Sequence, residues 1–158
     1  MVESAGQKIS STSIKNLLSN GDIEKANRFL GRYYFVSGEI IEGERRGRQI
    51  GFPTANLGTT WNFLPRNGVY VTYVTHKGKR FEAITNIGFR PTFGKSDLLI
   101  ESHILDFNDS IYGDKIKVEF VKRIRSEKKF DTVDELIENI KKDVRYARDT
   151  FLEESRND

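Results

Sequence analysis

The sequence predicts a mainly β domain, an antiparallel barrel or sandwich, with a short helical segment before it and a long helix after it. Three observations lead there. From Tyr33 onward the apolar residues alternate with a period of two, the signature of half-buried strands. Five such segments lie between residues 34 and 124, joined mostly by short turns, and short turns make neighbouring strands antiparallel. Finally, 158 residues with 37% hydrophobic side chains suffice for one sizeable core and are too few for two domains of average size.

The elements follow in order. Residues 10–20, SSTSIKNLLSN, place Ile14, Leu17 and Leu18 at helical spacing behind a run of capping residues, and Asn20-Gly21 supplies a stop. A second helix starts at Asp22, carries Ile23, Ala26, Phe29 and Leu30 on one stripe, and ends at Gly31. Both are small and need something to pack against. The predicted strands are Tyr34–Ile41, Gly68–His76, Arg80–Ile87, Leu98–Phe107 and Lys115–Ile124, with turns at Arg66-Asn67-Gly68, Lys77-Gly78-Lys79, Asn108-Asp109 and Gly113-Asp114. Residues 43–67 are the exception, holding four glycines and two of the three prolines, as a functional loop does. The chain closes on a helix opened by the capping box Thr132/Glu135, with Val133, Leu136, Ile137, Ile140, Val144, Ala147 and Phe151 along one face.

Composition removes many chemistries. No cysteine means no disulfide, thiolate metal site, iron–sulfur cluster or thiol nucleophile. Two histidines, His76 and His103, leave no multi-histidine cage, so any metal is expected to be hard and oxygen-ligated. Neither a membrane span nor a signal-peptide core is visible, which predicts a soluble, cytoplasmic protein with no membrane partner. A net charge of +3 is weak support for nucleic acid. The common phosphate-loop, dinucleotide, zinc-protease, serine-hydrolase and protein-kinase motifs are all missing.

The stretch GERRGRQIGFPTAN at 43–56 stands out, with three arginines, three glycines and then Pro53 before two small oxygen-bearing residues. Arginine forks pair with phosphate oxygens, and glycines let backbone N–H groups approach an anion. Thr54 and Asn56, two apart on an extended segment, can point to one side and offer hard oxygens to Mg²⁺. The same residues also read as a solvated basic loop and a turn whose polar side chains satisfy the backbone. Spacing alone leaves both readings open.

GFPTAN after a basic glycine loop resembles the fingerprint of riboflavin kinases. The resemblance continues through NGVY at 67–70, NIGFRPTFG at 86–94, ESHILDF at 101–107, IYG at 111–113 and RSEKKFDTVDELIENIKKDV at 125–144, in the family's order. Upstream, KISSTSIKNLL at 8–18 resembles the end of the adenylyltransferase module of bacterial bifunctional flavin synthetases, with Lys15 where arginine is usual and without that module's H-x-G-H signature. The resemblance implies a helical remnant of that missing module with its linker at 1–31, and a kinase domain at 32–158. The implied fold is a six-stranded antiparallel Greek-key barrel with a C-terminal helix.

The implied reaction moves the ATP γ-phosphate to the 5′-hydroxyl of riboflavin's ribityl chain, giving FMN and ADP. FMN adenylylation is expected of the full-length protein only. The resemblance makes Mg²⁺ with ATP the cofactor and assigns Thr54 and Asn56 to the metal and nucleotide. Gly43 and Arg48 then fall in the loop over the nucleotide, and Asp106 and Tyr112 at further nucleotide contacts. It makes Glu101 the base that accepts the hydroxyl proton, a carboxylate held on a strand by partial burial. His103, two residues on, reads as structural. Arg125, Lys128 and Phe130 match flavin-contacting positions, a ring and cationic stems able to sandwich an aromatic plane. Asn86, a fourth flavin-binding position by the resemblance, and the segment Arg90-Pro91-Thr92 match a flap that closes on substrate.

Two other classes remain. A nucleic-acid-binding barrel would interleave cations with exposed aromatics along a sheet face, whereas here cations gather at 45–48 and 122–129. A non-catalytic flavin-binding module would have no use for Glu101 or the Thr54/Asn56 pair.

Overall fold

The computed structural model describes residues 2–4, 7–9, 11–41, 51–58, 62–92, 95–107 and 111–156, with the backbone alone at 2–4, 7–9, 89–92 and 95–97. Gly43 and Arg48, and the cations at 45–48, lie outside the described residues.

A two-stranded hairpin, β1 (Val2–Ser4) and β2 (Gln7–Ile9), precedes two helices, α1 (Ser11–Ser19) and α2 (Ile23–Leu30). The helical stripes hold as expected: α1 buries Ile14 and Leu18, α2 buries Ile23 and Ala26. Gly31 ends α2 at φ +72°, its N–H donating to the Asn27 carbonyl at 2.9 Å, a backbone state that disfavours side chains.

Six strands then close a barrel: β3 (Tyr34–Ile41), β4 (Ala55–Leu57), β5 (Gly68–His76), β6 (Lys79–Thr92), β7 (Lys95–Ile104) and β8 (Lys115–Arg125). Around the barrel the order is β3-β4-β7-β6-β5-β8, every neighbouring pair antiparallel. The meander β5-β6-β7 with β8 returned beside β5 makes the Greek key. The β5–β6 hairpin turns on Lys77-Gly78, both at positive φ, which matches the strands' twist.

Closure gives the barrel a filled interior. Val36, Ile40, Leu57, Tyr70, Val74, Ala83, Ile87, Ile100, Ile104, Ile116, Val118 and Phe120 occupy it, with Tyr70 and Phe120 edge to face at 5.2 Å. Ile14, Leu18, Ile23 and Ala26 join the same cluster, so α1 and α2 close one mouth of the barrel. The polar bonds agree: the Arg66 N–H donates to the Leu18 carbonyl at 2.9 Å, and Asn27 bridges the Phe120 carbonyl and the Tyr34 N–H at 2.8 and 2.7 Å. Among the inward residues, Thr72, Thr85 and Ser102 form a buried hydroxyl chain with links of 2.8 and 2.7 Å across β5, β6 and β7.

The C-terminal helix α3 (Val133–Arg156) lies on the outside. Its Val144, Ala147 and Phe151 pack on the outer faces of Val69, Val71, Ile84 and Val121 in a second cluster. Half the predicted capping box forms directly: the Glu135 N–H donates to Thr132 Oγ1 at 3.1 Å. The Glu135 carboxylate accepts from the Asp131 N–H, one residue earlier than the motif predicts.

Candidate active site

Antiparallel registers bring residues distant in sequence onto one line. Asn56 pairs with Glu101, Glu101 with Asn86, Asn86 with Val69, and Val69 with Arg125. Their chain neighbours Leu57, Ile100, Ile87 and Tyr70 fill the interior, so strand alternation turns this row to the outer face. Three predicted functional side chains, Asn56, Glu101 and Asn86, are therefore adjacent, although 45 residues separate the first two.

Thr54 joins them from the entry to β4. Its hydroxyl donates to Glu101 Oε2 at 3.3 Å. Asn56 is buried and Glu101 half-buried, so the carboxylate sits at the floor of the surface with restricted freedom. His103, on the same face two residues along β7, donates from Nδ1 to the Pro53 carbonyl at 2.9 Å. Phe52 meets its ring edge-on at 5.6 Å. A carbonyl can only accept, so this bond fixes the Nδ1–H and ties the Phe52–Thr54 turn to β7. The expected structural role for His103 thereby acquires its partner.

Asn86 shows another kind of signal. Its Oδ1 is buried and has no hydrogen-bond partner among the described residues. A buried acceptor left open costs about 1–3 kcal/mol, so the site calls for a donor from water, an ion or a ligand. The open carbonyl lies beside the carboxylate of the row.

Hydroxyl and amide oxygens are hard donors, and Thr54 and Asn56 fit Mg²⁺, which takes few protein ligands and shares itself with substrate phosphates. Among the described residues no three His, Cys, Asp or Glu cluster as an all-protein metal cage.

On the other end of the row, Arg125 makes a two-pronged pair with Asp143 of α3, at 3.1 and 2.8 Å. Its Nη1 also donates to the Ser126 carbonyl at 3.1 Å. Phe130 is flanked by Arg125 and by Lys128, each cation 5.7 Å from the ring centroid. Two of the four predicted flavin-side residues, Arg125 and Lys128, thus flank the ring of a third, Phe130, with Arg125 also anchoring the helix. Between them, Glu127 rests directly on Gly88 of β6, where a Cβ would fall 1.9 Å from its Oε1.

Asp106 and Tyr112 are not drawn into the row. Asp106, at φ +56°, pairs with Arg148 of α3 at 3.3 Å, and Tyr112 stands 65% exposed in the turn before β8. Arg90, Pro91 and Thr92 extend β6, paired in backbone with Asp97, Ser96 and Lys95 of β7.

Sequence reasoning missed Asp143, Arg123 and the hydroxyl chain. Asp143 had a legible signal, a charged residue three positions after Ile140 and four before Ala147, inside the apolar stripe.

A closed barrel whose outer row combines a held carboxylate, hard oxygen donors and an open amide oxygen offers groups that could bind and act on a small molecule. Comparison with known proteins gives the family. The riboflavin kinase family profile matches residues 30–151. The bifunctional riboflavin kinase/FMN adenylyltransferase of Bacillus subtilis is 46% identical over 145 residues, covering 89% of this chain and 46% of that protein. Its Haemophilus influenzae counterpart is 42% identical, covering 92% and 47%. The crystal structure of riboflavin kinase from Trypanosoma brucei superposes with a TM-score of 0.53 at 27% identity, covering 75% of this chain and 79% of that one. A closer superposition, TM-score 0.85 at 37% identity over 93% of this chain and 49% of the other, is with a crystal structure described as a macrolide-efflux protein from Streptococcus pneumoniae. That description concerns the other protein; no helix among the described residues here is long and apolar enough to cross a membrane. The chain belongs to the riboflavin kinase family and carries its enzyme module. It spans about half the length of the curated relatives it matches.

Proposed function

We propose that this chain is an ATP:riboflavin 5′-phosphotransferase, moving the γ-phosphate of ATP to the ribityl 5′-hydroxyl to give FMN and ADP. The observation that carries the reading is the row Asn56–Glu101–Asn86 with the Thr54 hydroxyl on Glu101. Phosphoryl transfer asks the protein mainly for positioning and charge stabilisation, together with an acceptor for the alcohol proton. Glu101 Oε1 or Oε2 accepts that proton as the ribityl oxygen bonds to phosphorus and ADP leaves. Thr54 and Asn56 would hold Mg²⁺, which would supply neutralisation of phosphate charge. Asn86 Oδ1 takes a hydrogen bond from the substrate, and Phe130 with Lys128 and Arg125 faces the flavin. Gly43 and Arg48 cover the nucleotide, with Asp106 and Tyr112 at its periphery. We assign 32–158 to the kinase and 1–31 to the upstream module. FMN adenylylation belongs to the partner adenylyltransferase module, and the protein works in the cytoplasm on small molecules, with no nucleic-acid partner.

The test mixes the protein with riboflavin, ATP and Mg²⁺ and separates the flavins by chromatography. FMN is expected, and its absence in a folded sample rejects the reading. FMN supplied with ATP should yield no FAD from this chain. Thr54→Ala should raise the Mg²⁺ needed for half-maximal rate by about tenfold, an effect typical of weakened metal ligation.

A further inference from the structure

We propose that Arg123 is a positioning residue that couples the α1–α2 turn to the loop on the flavin side of the site. The inference rests on the riboflavin kinase reading. Three segments converge on this one side chain. Its Nη2 donates to the Asn67 carbonyl at 2.7 Å, at the entry to β5, and to the Ser126 hydroxyl at 3.4 Å, where the chain leaves β8. The Tyr70 hydroxyl, buried in the barrel mouth and donating to the Arg66 carbonyl, lies close enough for the Arg123 charge to act on it. Its stem crosses the α1–α2 turn so closely that a Cβ on Gly21 would fall 2.8 Å from Arg123 Cδ. A Cβ on Gly68 would fall 2.9 Å from both Nε and Nη2. Glycine at both positions leaves the space this guanidinium fills.

Ser126 is held from the opposite side as well. Its carbonyl accepts from Arg125, which is fastened to Asp143 of α3. The next residue, Glu127, lies on Gly88, two residues along β6 from the open amide of Asn86. A shift of the α1–α2 turn is therefore passed by Arg123 to Ser126, and by Glu127 to the surface beside Asn86. The path ends on the flavin side; Thr54 and Asn56 are carried by the entry to β4 and by β4 itself. Among the described residues Arg123 Nε is buried with no partner, so the bonds by which this side chain ties the segments together run through Nη2.

The test compares the wild type with Arg123→Gln, Arg123→Lys and Ser126→Ala. Three quantities are read: riboflavin Kd from quenching of flavin fluorescence, KM for Mg–ATP from FMN formation, and Tm. Arg123→Gln should weaken riboflavin by about fivefold or more, the lower end of ordinary site-to-site coupling, with the ATP KM unchanged. Arg123→Lys, which keeps the charge without the fork, should fall between. Ser126→Ala should shift riboflavin affinity in the same direction and add nothing in combination with Arg123→Gln. Unchanged riboflavin affinity in folded Arg123→Gln or in Ser126→Ala overturns the proposal. So does an equal loss for both substrates that tracks Tm, the mark of general damage. If Arg123→Gln does not fold, Gly21→Ala, which presses on Arg123 Cδ from a φ of +79°, takes its place beside Ser126→Ala. A wild type that makes no FMN rejects the kinase reading, whereas an active wild type with unaffected variants rejects only the coupling.

Discussion

Glu101 has Asn56 on one flank, Asn86 on the other and the Thr54 hydroxyl on its Oε2. Such neighbours orient the carboxylate, which suits a proton acceptor. Glu101→Gln keeps the size and removes the basicity. Turnover should fall by about 100-fold or more, the usual worth of a general base, while riboflavin Kd stays at the wild-type value. A variant with undiminished turnover removes Glu101 from the chemistry. Asp114 illustrates a carboxylate with the other kind of job. It accepts from His76 Nε2 at 2.8 Å, and this bond, with Lys77 nearby, holds its carboxyl below the ordinary value of 3.8. A carboxyl that titrates lower when folded adds stability above its ordinary pKa and loses it as pH falls through the depressed value. Tm curves of wild type and Asp114→Asn should therefore differ at neutral pH and converge below about pH 4; a constant gap down to strong acid contradicts this.

At the scale of elements, what the sequence conveyed depended on length of pattern. The helices and four of the predicted strands are long enough to show their period, and the structure places them within a few residues of expectation. β4 is only Ala55–Leu57, too short for any alternation, and so merged into the loop around it. β6 runs on through Pro91 to Thr92, past the point where proline argues for a strand's end, because its partner β7 continues beside it. Thr54, Asn56 and Glu101 were recognised as a set from motifs, yet their adjacency depends on the β4–β7 register, which no local pattern encodes. Helix α3 carries the matching lesson for Asp143, whose meaning required its partner. Arg125 and Asp143 form a nearly buried, two-pronged pair between β8 and α3, their side chains 25% and 7% exposed. Removing one member strands the other charge, at a cost of about 3 kcal/mol. Arg125→Ala and Asp143→Ala should each lower the urea midpoint accordingly, and the double variant should cost less than the sum. Additive losses would mean that the two do not act as a pair.

For the whole molecule, the question is whether the N-terminal helices are an appendage or part of the barrel. The family match begins at residue 30, and the sequence expectation placed 1–31 in a different module. The packing gives these helices a further duty. Leu18 and Ile23, each 1% exposed, and Ala26, fully buried, share one cluster with Val36, Tyr70, Val118 and Phe120 from three strands. A barrel of six strands leaves its ends open, and an open mouth would wet Tyr70, whose hydroxyl pKa burial pushes up. The helices supply the apolar lid, and Asn27 stitches it to the Tyr34 N–H and the Phe120 carbonyl. On the proposed assignment of 1–31 to an upstream module, a lid formed by these helices would make stability of the barrel and attachment of that segment one property. Leu18→Ala decides this. An appended unit would melt on its own and leave the barrel transition where it was. A lid that completes the core makes the same truncation cost the barrel about 3 kcal/mol, as for other large-to-small changes in a core. The urea transition should then stay single, with far-ultraviolet and near-ultraviolet circular dichroism moving together to lower denaturant. Two separated transitions, or an unmoved barrel transition, would assign the helices to the appendage instead.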